Sequence, residues 1–165
     1  MTTTVHEVSR LRLRPDEVFA RLGDAEVIEQ RAGADPAMPS QVLGHKVEGD
    51  SVTIRTCATL PLDWMPSAVR SRLAGNLSPT VGRTERWTRS ADGLDANTEF
   101  TITGVGGVDA RAVGRSSVTH EDDGSRLEER VTITVGVPLL GGAIEKALAP
   151  RIAATMKREV EVLDA

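Results

Sequence analysis

The spacing of apolar residues differs between the middle of the chain and its C-terminal end. Between residues 40 and 137 apolar residues mostly recur at every second position, with an interruption at residues 60–77. From Ile144 onward they recur at every third or fourth position. A period of two is typical of strands with one buried face, and the longer period is typical of an amphipathic helix. The pattern predicts a β-rich middle followed by a C-terminal helix.

Six of the predicted strands form three antiparallel pairs. The links within the pairs are short, polar and contain Gly, and they leave no room for parallel crossovers. An alternating stretch at residues 3–13 adds a seventh strand, whose inward face stays unassigned because apolar and polar residues share each side. The paired strands are predicted over residues 42–47 with 52–60, 81–90 with 98–105, and 108–120 with 127–137.

Two short helices are predicted directly after the first strand. Pro15 lies near the start of one, acidic residues follow in its first turn, and Gly23 ends it. Asp24 is suited to cap the second helix, which carries Val27 and Ile28. The prolines of the segment ADPAMPS prevent this second helix from continuing.

The C-terminal helix is predicted from Ala143, with one apolar stripe and its charged residues, Glu145 included, mostly elsewhere. Pro150 lies inside this helix, where it removes one backbone donor and crowds the Lys146 carbonyl. We expect a kink or a short break there. The stripe consists of Ile144, Leu148, Ile152, Met156, Val160 and Leu163.

An insertion at residues 60–77 separates the first strand pair from the second. A short helix is predicted to open at Pro66 and Ser67 and to end at Gly75 and Asn76. Its apolar side has three interpretations: a structural cap on the open end of the sheet, a gate to a cavity, or a surface that touches a membrane or a partner. This apolar side consists of Trp64, Met65, Val69 and Leu73.

Composition narrows the class of protein. A chain of 165 residues with 39% hydrophobic residues suits one globular domain, spanning residues 1–165. Aromatic residues are only 2% of the chain, so the core must be mainly aliphatic. The net charge is −4 and the basic residues are scattered among acidic ones, whereas nucleic-acid binding requires a basic face. We expect no nucleic-acid partner.

The cysteine count and the lack of long apolar runs bear on where in the cell the protein is expected. Cys57 is the only cysteine, so no intramolecular disulfide can form. The first residues, MTTTVHEVSRLRLRP, lack the apolar stretch of a secretion signal, and no run approaches about 18 apolar residues. We expect a soluble cytoplasmic protein without a transmembrane segment.

The order of elements and four short motifs resemble the helix-grip fold of the START-like (SRPBCC) superfamily. The motifs are LPLDWMP in the insertion, RTERW at residues 83–87, ITGVGGVDARAVG ending at Gly114, and VGVPLLGGAIEKAL. That superfamily includes lipid-transfer domains, polyketide cyclases and dehydratases, and plant pathogenesis-related proteins. More narrowly, the chain is similar to an actinobacterial branch of uncharacterised function. The resemblance implies an α+β fold: a curved antiparallel sheet of about seven strands wrapped around the final helix, often with an apolar cavity between them.

Several familiar chemistries lack support in the sequence. The segment GVGGVDA at residues 104–110 fails as a dinucleotide fingerprint, because Asp109 stands where the third Gly belongs, so we interpret it as a turn. The histidines His6, His45 and His120 are too far apart in sequence for a close pair of metal ligands. We expect no metal site and no cofactor, and no catalytic residue is assigned.

The motif at residues 83–87 begins a run of polar residues on one face of a strand. Arg83, Glu85, Trp87 and Arg89 alternate and should share that face. If the face lined a cavity, Glu85 and an arginine could bind a polar headgroup or act as acid–base groups. We favour the simpler interpretation of a solvated face with cross-strand ion pairs.

The favoured function is non-catalytic binding of a hydrophobic small molecule or lipid between the sheet and the C-terminal helix, with transient membrane contact left open. One alternative is a cyclase- or dehydratase-type enzyme that uses Glu85 or a histidine in the cavity. Another is a protein-interaction module whose core is filled with side chains. The residues expected to contact a ligand are Trp64, Met65, Leu73, Trp87, Phe100, Ile102, Ile144, Leu148, Ile152 and Met156.

Overall fold

A computed structural model describes residues 2–72, 79–106 and 108–165. The chain forms a seven-stranded antiparallel sheet with helices before, within and after the strands. Residues 73–78, which include the predicted contact residue Leu73 and the predicted helix end, lie outside the described part. The elements are β1 Thr2–Leu11, α1 Pro15–Leu22, α2 Ala25–Ala32, β2 Ser40–Glu48, β3 Ser51–Thr59, a 3₁₀ turn Leu62–Trp64, α3 Ser67–Arg72, β4 Thr80–Ser90, β5 Gly93–Thr103, β6 Asp109–Glu121, β7 Gly124–Gly136 and α4 Gly141–Leu163.

The sheet is a meander that contains the three predicted strand pairs. Its strand order is β1-β7-β6-β5-β4-β3-β2, and every neighbouring pair is antiparallel. Consecutive strands from β2 to β7 are therefore neighbours, and β1 closes the arrangement beside β7. The predicted strand count, pairing and antiparallel sense are confirmed.

Two strands begin earlier than predicted because their hairpin turns are tighter. Ser90 pairs with Gly93 and Glu121 pairs with Gly124, so each link has only two residues. The polar composition of ADGLDAN concealed an alternation in which Leu94, Ala96 and Thr98 are buried. Gly93 has φ of 153°, and a Cβ there would lie 1.8 Å from a β6 carbonyl oxygen. Only glycine fits this turn, which brings the strands together at once.

The first two helices begin where the sequence predicts. The backbone N–H of Arg14 donates to the Glu17 carboxylate at 2.8 Å, and Pro15 occupies the first turn of α1. Asp24 caps α2 by accepting hydrogen bonds from the backbone N–H groups of Glu26 and Val27. Directly after β5, Gly104 and Gly106 have φ of 73° and 60°, which suits the turn predicted there.

The C-terminal helix α4 runs without interruption through Pro150, so the predicted break does not occur. Pro150 lies on the exposed side of α4, while both halves of the helix bury apolar residues. Packing of both halves holds the helix together across the missing N–H donor. The predicted stripe faces inward, with four residues buried and Ile152 and Val160 half-buried. Glu145 departs from the prediction, because it is also buried.

The core divides into two hydrophobic clusters along the concave face of the sheet. One contains Trp87 and Leu163 and packs α1 and α2 onto the sheet. The other contains Trp64, Ile144 and Met156 and joins the insertion, α4 and β7. Within the described ranges, no helix has the length and apolar character needed to cross a membrane.

Candidate ligand cavity

A cavity of about 140 Å³ lies between the concave face of the sheet and α4. Its volume is close to that of an apolar protein cavity of roughly 150 Å³ that binds benzene. Most of its wall is aliphatic or aromatic, since the two cover elements, α4 and the insertion, present apolar side chains to the sheet. The apolar lining residues include Met38, Leu60, Trp64, Phe100, Ile102, Val131, Ile133, Leu148, Ile152 and Met156.

A smaller cavity of about 50 Å³ shares part of the same wall. Leu60, Ile102, Ile133 and Leu148 border both volumes. Its remaining lining is also apolar and comes from Met65, Pro79, the loop between β5 and β6, the start of β6, the end of β7 and the start of α4.

The structure places the predicted contact residues in three groups. Trp87 lines neither cavity, because it is 1% exposed within the neighbouring core cluster. Met65 and Ile144 border the smaller cavity. Phe100 and Ile102 point inward, which depends on the register that pairs them with Arg83 and Val81 on β4. The residues that line the larger cavity are Trp64, Phe100, Ile102, Leu148, Ile152 and Met156.

The insertion covers the cavity from the side of the 3₁₀ turn. Trp64 is buried against the apolar cluster under α4, and the Arg151 guanidinium of α4 lies 5.6 Å from the centre of its ring. This distance is within the range of a cation–π interaction. The contact links the described part of the insertion to α4.

Four charged side chains form a buried cluster beside the cavity. Arg31 of α2 donates to both carboxylate oxygens of Glu85 on β4, each at 2.9 Å. Arg83 lies 3.1 Å from Glu85 and donates to Glu159 of α4 at 2.8 and 3.0 Å. Arg31 is also 3.4 Å from Glu159. Two guanidinium groups thus balance two carboxylates, and the cluster ties α2, β4 and α4 together.

The prediction of a solvated face at residues 83–89 is therefore wrong for most of these residues. Glu85 is 2% exposed and Trp87 is 1% exposed, whereas Arg83 is half-buried and Arg89 is exposed. The face turns inward because α2 supplies the counter-ion Arg31. Burial by itself would raise the pKa of Glu85, but the guanidinium groups of Arg31 and Arg83 outweigh it and lower that pKa to about 2. Glu85 is thus a fixed anion, poorly suited to acid–base chemistry near neutral pH.

The sequence reasoning missed two carboxyl groups on the cavity wall, Glu159 of α4 and Glu129 of β7. Glu129 lies outside the ion-pair cluster. It lines the larger cavity, is 7% exposed, and its Oε2 atom has no hydrogen-bond partner among the described residues. Burial raises the pKa of Glu129 to about 7, since the attraction of Arg31 only partly offsets the desolvation. A signal was present: Glu129 occupies the same alternating positions of β7 as the buried residues Leu127 and Val131.

Other polar groups also lie on the wall. Arg83 lines the cavity, and its Nε–H, like Glu129 Oε2, lacks a partner in the described structure. Arg130 and Glu159 add two more charged groups, and hydroxyl groups come from Ser40, Thr56, Thr98, Ser116 and Thr155. None of the three histidines, all of which are described, is on the wall. The described ranges contain no group of three or more His, Cys, Asp or Glu side chains that could hold a metal ion.

One family of proteins matches almost the whole chain. Residues 8–165 match the DUF2505 family, described as a protein of unknown function. The chain belongs to the DUF2505 family. The match includes every residue that lines the cavity, so in this DUF2505 chain the cavity lies wholly within the region that defines the family. No curated protein matches the sequence significantly.

Solved structures share the fold of this DUF2505 chain at low sequence identity. TTHA0849 from Thermus thermophilus is 16% identical, with a TM-score of 0.59 over 98% of this chain and 97% of its own. The Zhui aromatase/cyclase from Streptomyces sp. R1128 is 12% identical, with a TM-score of 0.59 over 99% and 92%. Ms6760 from Mycobacterium smegmatis is 12% identical, with a TM-score of 0.58 over 98% and 88%. These similarities show the helix-grip fold, a curved antiparallel sheet around the C-terminal helix.

Proposed function

We propose that this protein binds a small hydrophobic molecule between the sheet and α4. The observation that carries the proposal is the apolar cavity of about 140 Å³ under α4. Binding sites for small molecules are typically concave and apolar, with a few polar groups that fix the orientation of the ligand. The wall of the larger cavity is mainly apolar, and four charged side chains and five hydroxyl groups interrupt it.

The volume favours a ligand of about one ring over an intact lipid. Sites for drug-sized ligands typically measure about 300–1,000 Å³. The two cavities together, at about 140 and 50 Å³, are smaller than that range. A lipid would therefore require the insertion to move away from α4, together with the transient membrane contact that the sequence left open. A core filled with side chains, as the interaction-module alternative requires, does not fit these volumes.

Two measurements test the binding proposal. Native mass spectrometry of the protein from its own source should show a defined mass increment from a co-purifying molecule. In addition, cumene should bind the recombinant protein, as seen by chemical-shift changes at cavity methyl groups. The variant Ala112→Leu places a larger side chain on the cavity wall and should abolish cumene binding. Val113→Leu, on the exposed face of the same strand, should leave it intact. Equal binding by both variants would place cumene elsewhere.

A second candidate function is catalysis of the cyclase or dehydratase type, favoured by Glu129. An acid whose pKa lies near 7 in an apolar cavity can both accept and donate protons at physiological pH. Such reactions begin by removing a proton next to a carbonyl group. We therefore expect the protein to exchange the methyl protons of acetophenone for deuterium in D₂O. Glu129→Gln should abolish this exchange, and equal exchange by both proteins would rule out the role.

Three further statements stay predictions. They are the actinobacterial origin of the chain, its cytoplasmic location and its organisation as a single domain over residues 1–165. The single domain accords with the family match over residues 8–165, and limited proteolysis would test it by yielding one protected fragment. Fractionation of the source cells would test the location, and the identity of those cells would test the origin.

A further inference from the structure

Two side-chain atoms on the cavity wall, Arg83 Nε and Glu129 Oε2, have no hydrogen-bond partner among the described residues. Arg83 Nε–H is a donor, and Glu129 Oε2 belongs to a carboxyl group that donates when it is protonated. Leaving such groups unpaired in an apolar setting is unfavourable, because each has lost its hydrogen bonds to water. A ligand oxygen placed between them would satisfy both.

The charge balance around Glu129 explains why its neutral form is favoured. The charges of Arg31 and Arg83 are already balanced by Glu85 and Glu159. Arg130, the third arginine on the cavity wall, is paired with Glu128. On the two neighbouring strands, Glu129 lies opposite Glu7 of β1 and Ser116 of β6. Glu7 has its own cation, Lys157 of α4, at 3.7 Å. An ionised Glu129 would therefore add an unbalanced negative charge to a buried region.

We infer that the cavity is selective for small uncharged ligands that carry a hydrogen-bond-accepting oxygen, such as a ketone, and that the protonated Glu129 carboxyl and Arg83 Nε–H bind this oxygen. The apolar remainder of the ligand then occupies the space between Phe100, Ile102 and Leu148. This inference rests on the proposed function, and it adds the polarity of the ligand and a dependence on proton concentration.

The dependence on pH follows from the chemistry of the carboxyl group. Below about pH 7 Glu129 offers an O–H donor, and above that pH it presents only acceptors and a negative charge. A ketone oxygen would then face a carboxylate and lose one donor. Binding of a ketone should therefore weaken as the pH rises through 7, whereas binding of a hydrocarbon of similar shape should change little.

The test compares acetophenone with cumene, which has a similar shape but no oxygen, by competition for the cavity at pH 5.5 and 8.5. At pH 5.5 acetophenone should bind about three- to tenfold more tightly than cumene, the equivalent of one net hydrogen bond. At pH 8.5 the preference should disappear. Glu129→Gln keeps an N–H donor without titrating, so its preference for acetophenone should be the same at both pH values.

The outcomes distinguish a failure of this inference from a failure of the proposed binding function on which it rests. If cumene binds but acetophenone binds no better at pH 5.5, the two polar atoms are satisfied by water and the inference fails alone. If neither compound binds at either pH, the proposed binding function fails with it. Tighter binding of benzylamine at pH 8.5 than at pH 5.5 would identify Glu129 as an anionic site for cations and would overturn the inference.

Discussion

Arg31 and Glu85 form an ion pair with two parallel hydrogen bonds, each 2.9 Å long, in the interior of the protein. Their side chains are 6% and 3% exposed, so water contributes little to the solvation of either charge. The pair joins α2 to β4, which are far apart along the chain. Removing one partner would leave the other charge buried and only partly compensated.

Arg31→Met should therefore destabilise the protein strongly. We expect the free energy of unfolding to fall by about 3–5 kcal/mol, the usual cost of breaking a buried pair from one side. Urea unfolding followed by circular dichroism measures this change. Arg10→Met is a matched control, because Arg10 pairs with Asp122 at the surface. Exposed pairs contribute about 0–1 kcal/mol, so a loss for Arg10→Met as large as that for Arg31→Met would contradict the argument.

Sequence patterns predicted most of the fold because the sheet depends on local alternation. The period of two along β3, β4, β6 and β7 gave the strands and their pairing. The start of β5 was missed because Asp95 and Asn97, although outward-facing, made the segment resemble a loop. The prediction of a break at Pro150 was wrong because tertiary packing on both sides of the proline keeps α4 continuous.

The charged part of the site was harder to predict because its partners are distant in sequence. Arg31 ends a short helix, where an arginine is ordinarily solvated, and nothing local indicates that it meets Glu85. Without that partner, Glu85 is expected on an exposed face. Glu129 did have a local signal, because the apolar residues Leu127 and Val131 flank it at alternate positions of β7. Applied strictly, this period of two places Glu129 on the inward face of the sheet.

Stability should depend on pH through Glu129. The pKa of Glu129 is about 7 in the folded protein and near 4.5 when unfolded. Between these values the folded state holds a proton that the unfolded state has released, so stability falls as the pH rises from 4.5 to 7 and then levels off. The full loss is about 3 kcal/mol. Glu129→Gln should remove this loss, so the difference between variant and wild type in urea unfolding should grow from about pH 5 to pH 8.

A flat difference between Glu129→Gln and wild type over this range would mean that Glu129 is ionised in the folded state throughout. The Glu85 carboxylate does not obscure the measurement. Its pKa is lowered to about 2, so its contribution to stability is fully present above pH 4.5 and is lost only as the pH falls toward 2.

Glu145 should anchor the start of α4 to the sheet. It is 0% exposed; Oε1 accepts a hydrogen bond from the Val135 backbone N–H at 2.9 Å, and Oε2 accepts one from the Thr3 hydroxyl at 3.0 Å. Glu145→Leu keeps a side chain of similar size but removes both acceptors, which leaves the Val135 N–H and the Thr3 hydroxyl without this partner. We expect a loss of about 1–3 kcal/mol in urea unfolding. Glu161→Leu on the exposed side of α4 is the control and should change stability by less than about 0.5 kcal/mol.

Gly141 should be required where α4 begins against β7. A Cβ at this position would lie 2.1 Å from the Val135 carbonyl oxygen, and a backbone atom cannot move aside cheaply. Gly141→Ala should therefore push α4 away from the sheet and lower the free energy of unfolding by about 1–3 kcal/mol. At Gly33, the nearest atom to a Cβ is a carbonyl oxygen 3.7 Å away, and φ is −88°. Gly33→Ala should instead raise stability by about 0.4–1 kcal/mol, because it restricts the unfolded chain. Urea unfolding of both variants would show opposite signs, and a Gly141→Ala protein as stable as wild type would mean that α4 can begin farther from β7.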